Sequence, residues 1–391
     1  MGLRDLIRPT ANLTGATFVS AAAGFLFWWA AARMYPPEEV GVASSVLSAL
    51  SLIFALSTMG LNVGTVRFYS KFGKKATGTT VLVITIASFS MTAVYTIMDP
   101  GRVLTGKTSL KALLLSMAVL GAVYTTNGIA AVPLRKTDVF FKQSVVYSAR
   151  VIPLPFLTRE GFGGIVGSFG VGLLTGAVYG VIKLKDALKP AFSMEFLREA
   201  LPISVGNYLL SISSYLPLYF MPSLVLRDLG RDMAAYYYAG FMLISLTTVP
   251  INQLSIILLR EGSKGKIRRR DMVKAAGVLA VYWAITSAIL ILAGNTLLSI
   301  FGGKYTSAGG MVKLASLGIG PAGFVALLTA ELNIAMDSRG VAIASALNCL
   351  VFLFSAHPFL LHFGLQGAAL SWILSNSAAL PVLLLRHPKT F

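Results

Sequence analysis

Acidic residues are scarce in this chain: 15 Asp and Glu stand against 33 Lys and Arg over 391 residues, a net charge of +18. Charge of either sign makes up only 12% of the sequence, about half of what a soluble domain carries. Cysteine occurs once, as Cys349 inside an apolar block, so an internal disulfide is excluded and the redox compartment is left open. The three histidines have no partners at metal-ligand spacing. A glycine-rich phosphate loop is missing, and the polar interruptions are too short for most catalytic sites. Together these absences argue against nucleotide hydrolysis and against enzyme chemistry in general.

What the chain has in quantity is apolar length. Hydrophobic residues reach 55% and the mean hydropathy is +0.75. They come in blocks of about 20, the helix length that crosses roughly 30 Å of hydrocarbon. Lipid offers the backbone no hydrogen bonds, so only helices or a closed barrel can cross it. Barrel strands alternate over about ten residues, and these blocks are continuous. The expectation is an all-α polytopic membrane protein with twelve spans, near 13–33, 40–60, 79–98, 111–132, 139–157, 162–182, 200–225, 234–258, 273–293, 309–333, 340–361 and 367–385. The first span serves as its own insertion signal. Cations scattered over short turns, rather than gathered in one domain, argue against nucleic acid as a partner.

Orientation follows from where those cations lie. One set of turns holds Arg67, Lys71, Lys74 and Lys75, then Lys183, Lys185, Lys189 and Arg198, then Arg260 through Lys274, and finally Arg386 and Lys389. The alternate set is far sparser. Lys and Arg excess marks the cytoplasmic face, which places both termini inside and the cations against membrane lipid headgroups.

A repeat crosses the chain. Arg33 and Arg67 are 34 residues apart, and Arg227 and Arg260 are 33 apart. "RFYSKFGKK" and "REGSKGKIRRR" follow in corresponding places. The polar, amphipathic stretch 183–199 separates the halves, dividing the chain into a six-helix lobe at 1–182 and another at 200–391. Parallel repeats of this kind occur in transporters, where rocking opens a cleft to alternate sides.

Ionisable or helix-breaking residues within spans mark the candidate site, because each is costly in lipid. Gln143, Tyr147 and Arg150 fall at i, i+4 and i+7, a single helical stripe. Arg150 either faces a wet interior or snorkels to the surface from a span that starts later. Arg67 and Arg260 end corresponding helices after loosened segments: "MGLNVGTVR" contains Gly60, Asn62 and Gly64, and "TVPINQLS" contains Pro250. Asn207 lies on a polar stripe of the seventh span that serves substrate contact or helix-helix bonding equally well. Glu331 is the one carboxylate well inside an apolar block, on a helix bent at Pro321. It either couples a proton or sodium ion to motion or pairs with Arg339 near the surface.

The span ending "AARMY", the "PPEEVGVAS" hairpin and the span ending "MGLNVGTVRF" resemble the start of prokaryotic polysaccharide or O-antigen flippases. These belong to the multidrug/oligosaccharidyl-lipid/polysaccharide (MOP) exporter superfamily. "AAYYYAGFMLISLTTVPINQLS", "NIAMDSRGVAIASALNCLVF" and "FGLQGAALSWILSN" resemble later spans, so the likeness covers nearly the whole chain. It implies a MATE-like pair of six-helix lobes in the cytoplasmic membrane, with a basic cavity for the headgroup of a polyprenyl-phosphate- or pyrophosphate-linked glycan. Arg150, Arg33 and Arg67, then Arg260, would bind that phosphate, with Glu331 as the coupling candidate. No cofactor is implied beyond a coupling proton or sodium ion. A glycan polymerase or ligase is the implied protein partner. The chain departs from the pattern in lacking an acidic residue early in its seventh span. Two other readings stand beside this one. A multidrug or cation antiporter of the same fold would need acidic residues in the first three spans, which have none. A membrane-embedded glycosyltransferase or polymerase would have only Glu38, Glu39, Asp228 and Asp232 to work with, on short loops.

Overall fold

The computed structural model describes residues 3–99, 102–262 and 269–386, the side chains of 3–11, 202–207, 209, 210, 260 and 269 excepted. Its packing separates into two compact units, residues 1–208 and 209–391. Among the described residues ten helices are long and apolar enough to cross a membrane. The architecture is all-α, as the block lengths require.

The first unit contains α1 (Leu3–Met34), α2 (Pro37–Ser57), α3 (Leu61–Phe72), α4 (Lys74–Met98), α5 (Thr108–Ala131), α6 (Thr137–Tyr147), α7 (Phe162–Leu184) and the start of α8 (Met194–Tyr215). α2 packs against α4, α5 and α7. It occupies the middle, since 72% of the apolar window in Pro37–Phe72 is buried, against 22% for α4. The opening hairpin explains how α2 is aimed. Pro36 and Pro37 start the helix, where a missing N–H costs nothing. Glu39 Oε2 accepts a 2.6 Å hydrogen bond from the backbone N–H of Phe162, capping α7 at its positive end. The Tyr35 hydroxyl donates to the Leu154 carbonyl at 2.8 Å.

Three sequence spans differ from single helices. The second is broken at 58–60, where Met59 (φ 46°) and Gly60 (φ 73°) adopt left-handed backbone, and then runs on as α3 to Phe72. The carbonyl of Leu56 accepts there from the Met59 N–H at 3.2 Å and also from the Tyr208 hydroxyl at 2.6 Å. The fifth span, expected over 139–157, is α-helical only to Tyr147 and continues as 3-10 turns through 160. Pro153 and Pro155 remove the amide donors that an α-helix would need there.

The seventh span, expected over 200–225, is interrupted differently. A π-helical turn at Leu216–Phe220, with Pro217 and Pro222 on either side of its end, joins it to α9 (Met221–Asp228). The Tyr237 hydroxyl donates to the Pro217 carbonyl at 2.5 Å. The rest of the second unit is α10 (Arg231–Gly262), α11 (Arg269–Ser299), α12 (Gly309–Ile334), α13 (Ser338–Phe363) and α14 (Leu365–Leu385). α12 packs on α10, α11 and α14. Where apolar attraction is no stronger inside than toward lipid, small residues and polar bonds hold helices together. Asn348 Nδ2 donates to Asn376 Oδ1 between α13 and α14 at 3.2 Å, and Ser287 Oγ donates to the Ser316 carbonyl between α11 and α12 at 2.8 Å.

At the far end of α9, Asp228 joins it to α13. Its carboxylate accepts from Arg227 Nε at 2.7 Å and meets His357 Nδ1 at 2.8 Å, with only 6% of the side chain exposed. Burial pushes this carboxyl up, but the bonds from Arg227 and His357 outweigh it and hold the group below its ordinary range. A lowered carboxyl contributes stability at pH values above the usual carboxylate value of about 4. That stability is lost as pH falls through the lowered value. Thermal unfolding of the native chain and Asp228→Asn should therefore differ most near neutral pH and converge in acid. A gap that stays constant down to acid pH would show that the cluster does not stabilise through charge.

Candidate functional site

α6 and the turn after it carry the stripe seen in the sequence. Gln143 and Tyr147 lie on the α-helix, and Arg150 lies on the 3-10 turn Ser148–Val151. With three residues per turn, a 3-10 segment places i and i+3 one above the other. The Arg150 guanidinium accordingly sits 4.2 Å from the Tyr147 ring centroid and donates from Nη1 to the Tyr147 hydroxyl. Two more rings complete an aromatic box: Phe27 of α1 at 5.4 Å and Phe169 of α7 at 5.3 Å. The rings also brace one another, Phe27 on Phe169 and Tyr147 on Phe169, both edge to face.

Glycines let the cation in. A Cβ on Gly172 would approach Arg150 Cβ and the Tyr147 carbonyl to 2.7 Å, and one on Gly24 would lie 3.4 Å from Arg150 Nη2. The sequence reading missed Phe27, Phe169 and these glycines. Their signal, "FLFWW" and "GSFGVG", is no different from that of ordinary helix packing.

Arg150 is 6% exposed, so it does not snorkel. Among the described residues it has no salt bridge, and its buried Nε has no protein hydrogen-bond partner. The same holds for the side-chain oxygens of Gln143 and Asn127, although their amide nitrogens donate to the Tyr124 and Ala177 carbonyls. A charge taken out of water without an acidic partner costs several kcal/mol, against which each desolvated ring face returns about 2 kcal/mol. Such an expense is characteristic of a functional group rather than a structural one.

The other candidates stand apart from this box in character. Arg33 is exposed in the last turn of α1, Arg67 is exposed on α3, and Asn62 is exposed in the first turn of α3. Gly60 forms the left-handed break, and Gly64 is buried within continuous α3. Pro250 and Pro321 lie inside α10 and α12, which continue through them as helix. Glu331 is 2% exposed on α12. The side chains of Arg260 and Asn207 lie outside the described residues. Two of the four acids considered for catalysis have structural duties: Glu39 caps α7 and Asp228 ties α9 to α13. No group of three metal-ligating side chains exists among the described residues.

No protein-family model and no curated protein matches the sequence. Solved structures match its fold over almost the full length. An inward-facing multidrug resistance MATE family transporter of the MOP superfamily superposes with a TM-score of 0.71 at 13% identity, over 96% of this chain and 97% of that one. A MOP superfamily transporter from Pyrococcus furiosus, described as having a binding pocket of reverse polarity, gives 0.66 at 13% identity over 98% and 94%. The lipid II flippase MurJ in an inward closed conformation gives 0.70 at 14% identity over 95% and 86%. At such low identity the likeness concerns the fold: the chain is a multi-pass helical membrane protein with the fold of the MOP superfamily.

Proposed function

We propose that this protein is a transporter of the flippase kind. It translocates a polyprenyl-phosphate- or pyrophosphate-linked oligosaccharide across the cytoplasmic membrane by alternating access, for cell-surface polysaccharide assembly. The observation that carries the reading is Arg150, a permanently charged group with a free buried N–H and no acidic partner among the described residues. Guanidinium is suited to phosphate because its planar fork matches the oxygens bidentately. Arg33, Arg67 and Arg260 would supply further positive charge, with Asn62 and Asn207 as polar contacts. Glu331 would couple a proton or sodium ion, and a glycan polymerase or ligase would act on the product. The net charge of +18 favours an anionic cargo.

The fold is also that of multidrug MATE transporters, and cation antiport is the rival reading. Purified protein in liposomes separates the two. Lipid-linked oligosaccharide should cross in a manner that requires Arg150, whereas cationic dyes should not be carried. Dye antiport without glycan-lipid movement would overturn the proposal.

A further inference from the structure

The segment between α7 and α8 is held down on one side and displays a mixed cationic and apolar face on the other. Leu184 and Leu188 are buried with Ala130, Ala131 and Val139. The Thr77 hydroxyl donates to the Ala187 carbonyl, and the Ser193 N–H donates to Thr79 Oγ1 at 3.0 Å. The Lys189 carbonyl lies so close over Gly78 of α4 that any Cβ there would clash. Beyond the turn, Phe196 and Ala200 are buried with Leu61 and Ala76, and Phe196 meets Phe72 edge to face. Lys71 Nζ closes the junction at 2.5 Å from Glu199 and 3.7 Å from Glu195.

So fixed, the segment has no freedom to bury its remaining apolar groups. Phe192 is 60% exposed and Met194 52%, just beyond Ile182 at 63%. On the same segment Lys183, Lys185, Lys189 and Arg198 are exposed, as are Lys74 and Lys75 at the start of α4, the helix on which the segment rests. The acids nearby are engaged: Asp186 lies 3.8 Å from Lys189, and Glu195 and Glu199 lie beside Lys71. Exposed apolar side chains interspersed along the segment with exposed cations, just past a membrane-spanning helix, match an anionic bilayer surface, whose acyl boundary takes the apolar groups and whose headgroups take the charge.

We propose that residues 183–198 form an interfacial anchor that docks on the anionic lipid headgroups of the leaflet beside it, with Phe192 and Met194 inserted below the headgroup level. This is independent of what the protein carries. The anchor would also fix the first turns of α4 at the membrane surface, through Thr77, Gly78 and Thr79.

A spin label at Phe192→Cys, in a Cys349→Ser background, tests it in the full chain. The position is exposed, so the label displaces no packing. In vesicles containing phosphatidylglycerol, collisions with lipid-soluble oxygen should exceed those with a water-soluble nickel chelate. In phosphatidylcholine alone the label should shift toward water, and Lys185→Gln with Lys189→Gln should produce the same shift in the anionic vesicles. Each cation near such a surface contributes a factor of about five, so the pair should weaken the anionic preference roughly 25-fold. Raised salt should act in the same direction. A label equally open to the chelate in every lipid mixture would overturn the anchor and leave this face to a soluble partner. A label buried equally in charged and uncharged lipid would overturn the headgroup preference.

Discussion

Arg150→Met is expected to leave the protein as stable as before, or more so, while lowering glycan-lipid translocation about 10- to 100-fold. The stability half follows from the site. A buried cation without an acidic partner opposes folding, and an apolar side chain of similar volume in its place is often neutral or stabilising. Methionine reaches the same three rings and makes favourable sulfur–aromatic contacts with them. The activity half follows from the lost phosphate contact, since a hydrogen bond to a charged group contributes about 1.5–3 kcal/mol. Arg150→Lys should fall between the two, keeping the charge while losing the bidentate fork. Thermal unfolding in detergent and translocation in proteoliposomes read the two halves separately. Wild-type transport by the methionine variant would remove Arg150 from the site. A methionine variant that unfolds would make it a structural residue.

The second large effect is expected at Asp99, outside the candidate site. This residue ends α4 with left-handed backbone (φ 39°), a conformation that Asp and Asn tolerate better than most residues. Its carboxylate accepts from the N–H of Val103 at 3.0 Å, from the N–H of Leu104 at 3.0 and 3.1 Å, and from the Thr105 hydroxyl at 2.8 Å. The side chain closes the turn leading into α5 and is only 8% exposed. Asp99→Ala would strand two amide donors and a hydroxyl, at about 1–3 kcal/mol for each group left buried. A loss of roughly 3 kcal/mol or more in unfolding free energy is the expected result, with Asp99→Asn intermediate because it keeps one oxygen. If the alanine variant unfolds with the native midpoint, the turn does not depend on this carboxylate.

Both predictions concern residues that the sequence flagged unequally. Arg150 stood out as an arginine eight residues into a span from Lys142, which is costly wherever it points. Its stripe with Gln143 and Tyr147 could be read directly, because spacing on one helix is a local property. The partners contributed by α1 and α7 could not, since Phe27 and Phe169 are separated from Arg150 by long stretches of chain and look like any packed aromatic. Asp99 was not singled out in the sequence, since an acid just past an apolar block looks like any loop residue. Its role depends on bonds from donors four to six residues on, which the carboxylate meets only in this particular turn shape. The proline pairs gave mixed signals: those near 153 and 217 break the α-helix, whereas Pro250 and Pro321 lie inside continuous helix. The neighbouring turns, rather than the proline ring alone, decide whether a freed carbonyl finds another donor, as Pro217 does with Tyr237.

The sequence by itself determined the solvent, the element type and the approximate number of crossings. Hydrocarbon forces every backbone group into local hydrogen bonds, so runs of about 20 apolar residues have one outcome. Tertiary structure decided what an isolated helix cannot: how the segment between α7 and α8 is fastened to α4, and which rings enclose Arg150. Those outcomes depend on side chains from distant helices meeting at contact range, and attraction of that kind has no period in the sequence from which it can be read.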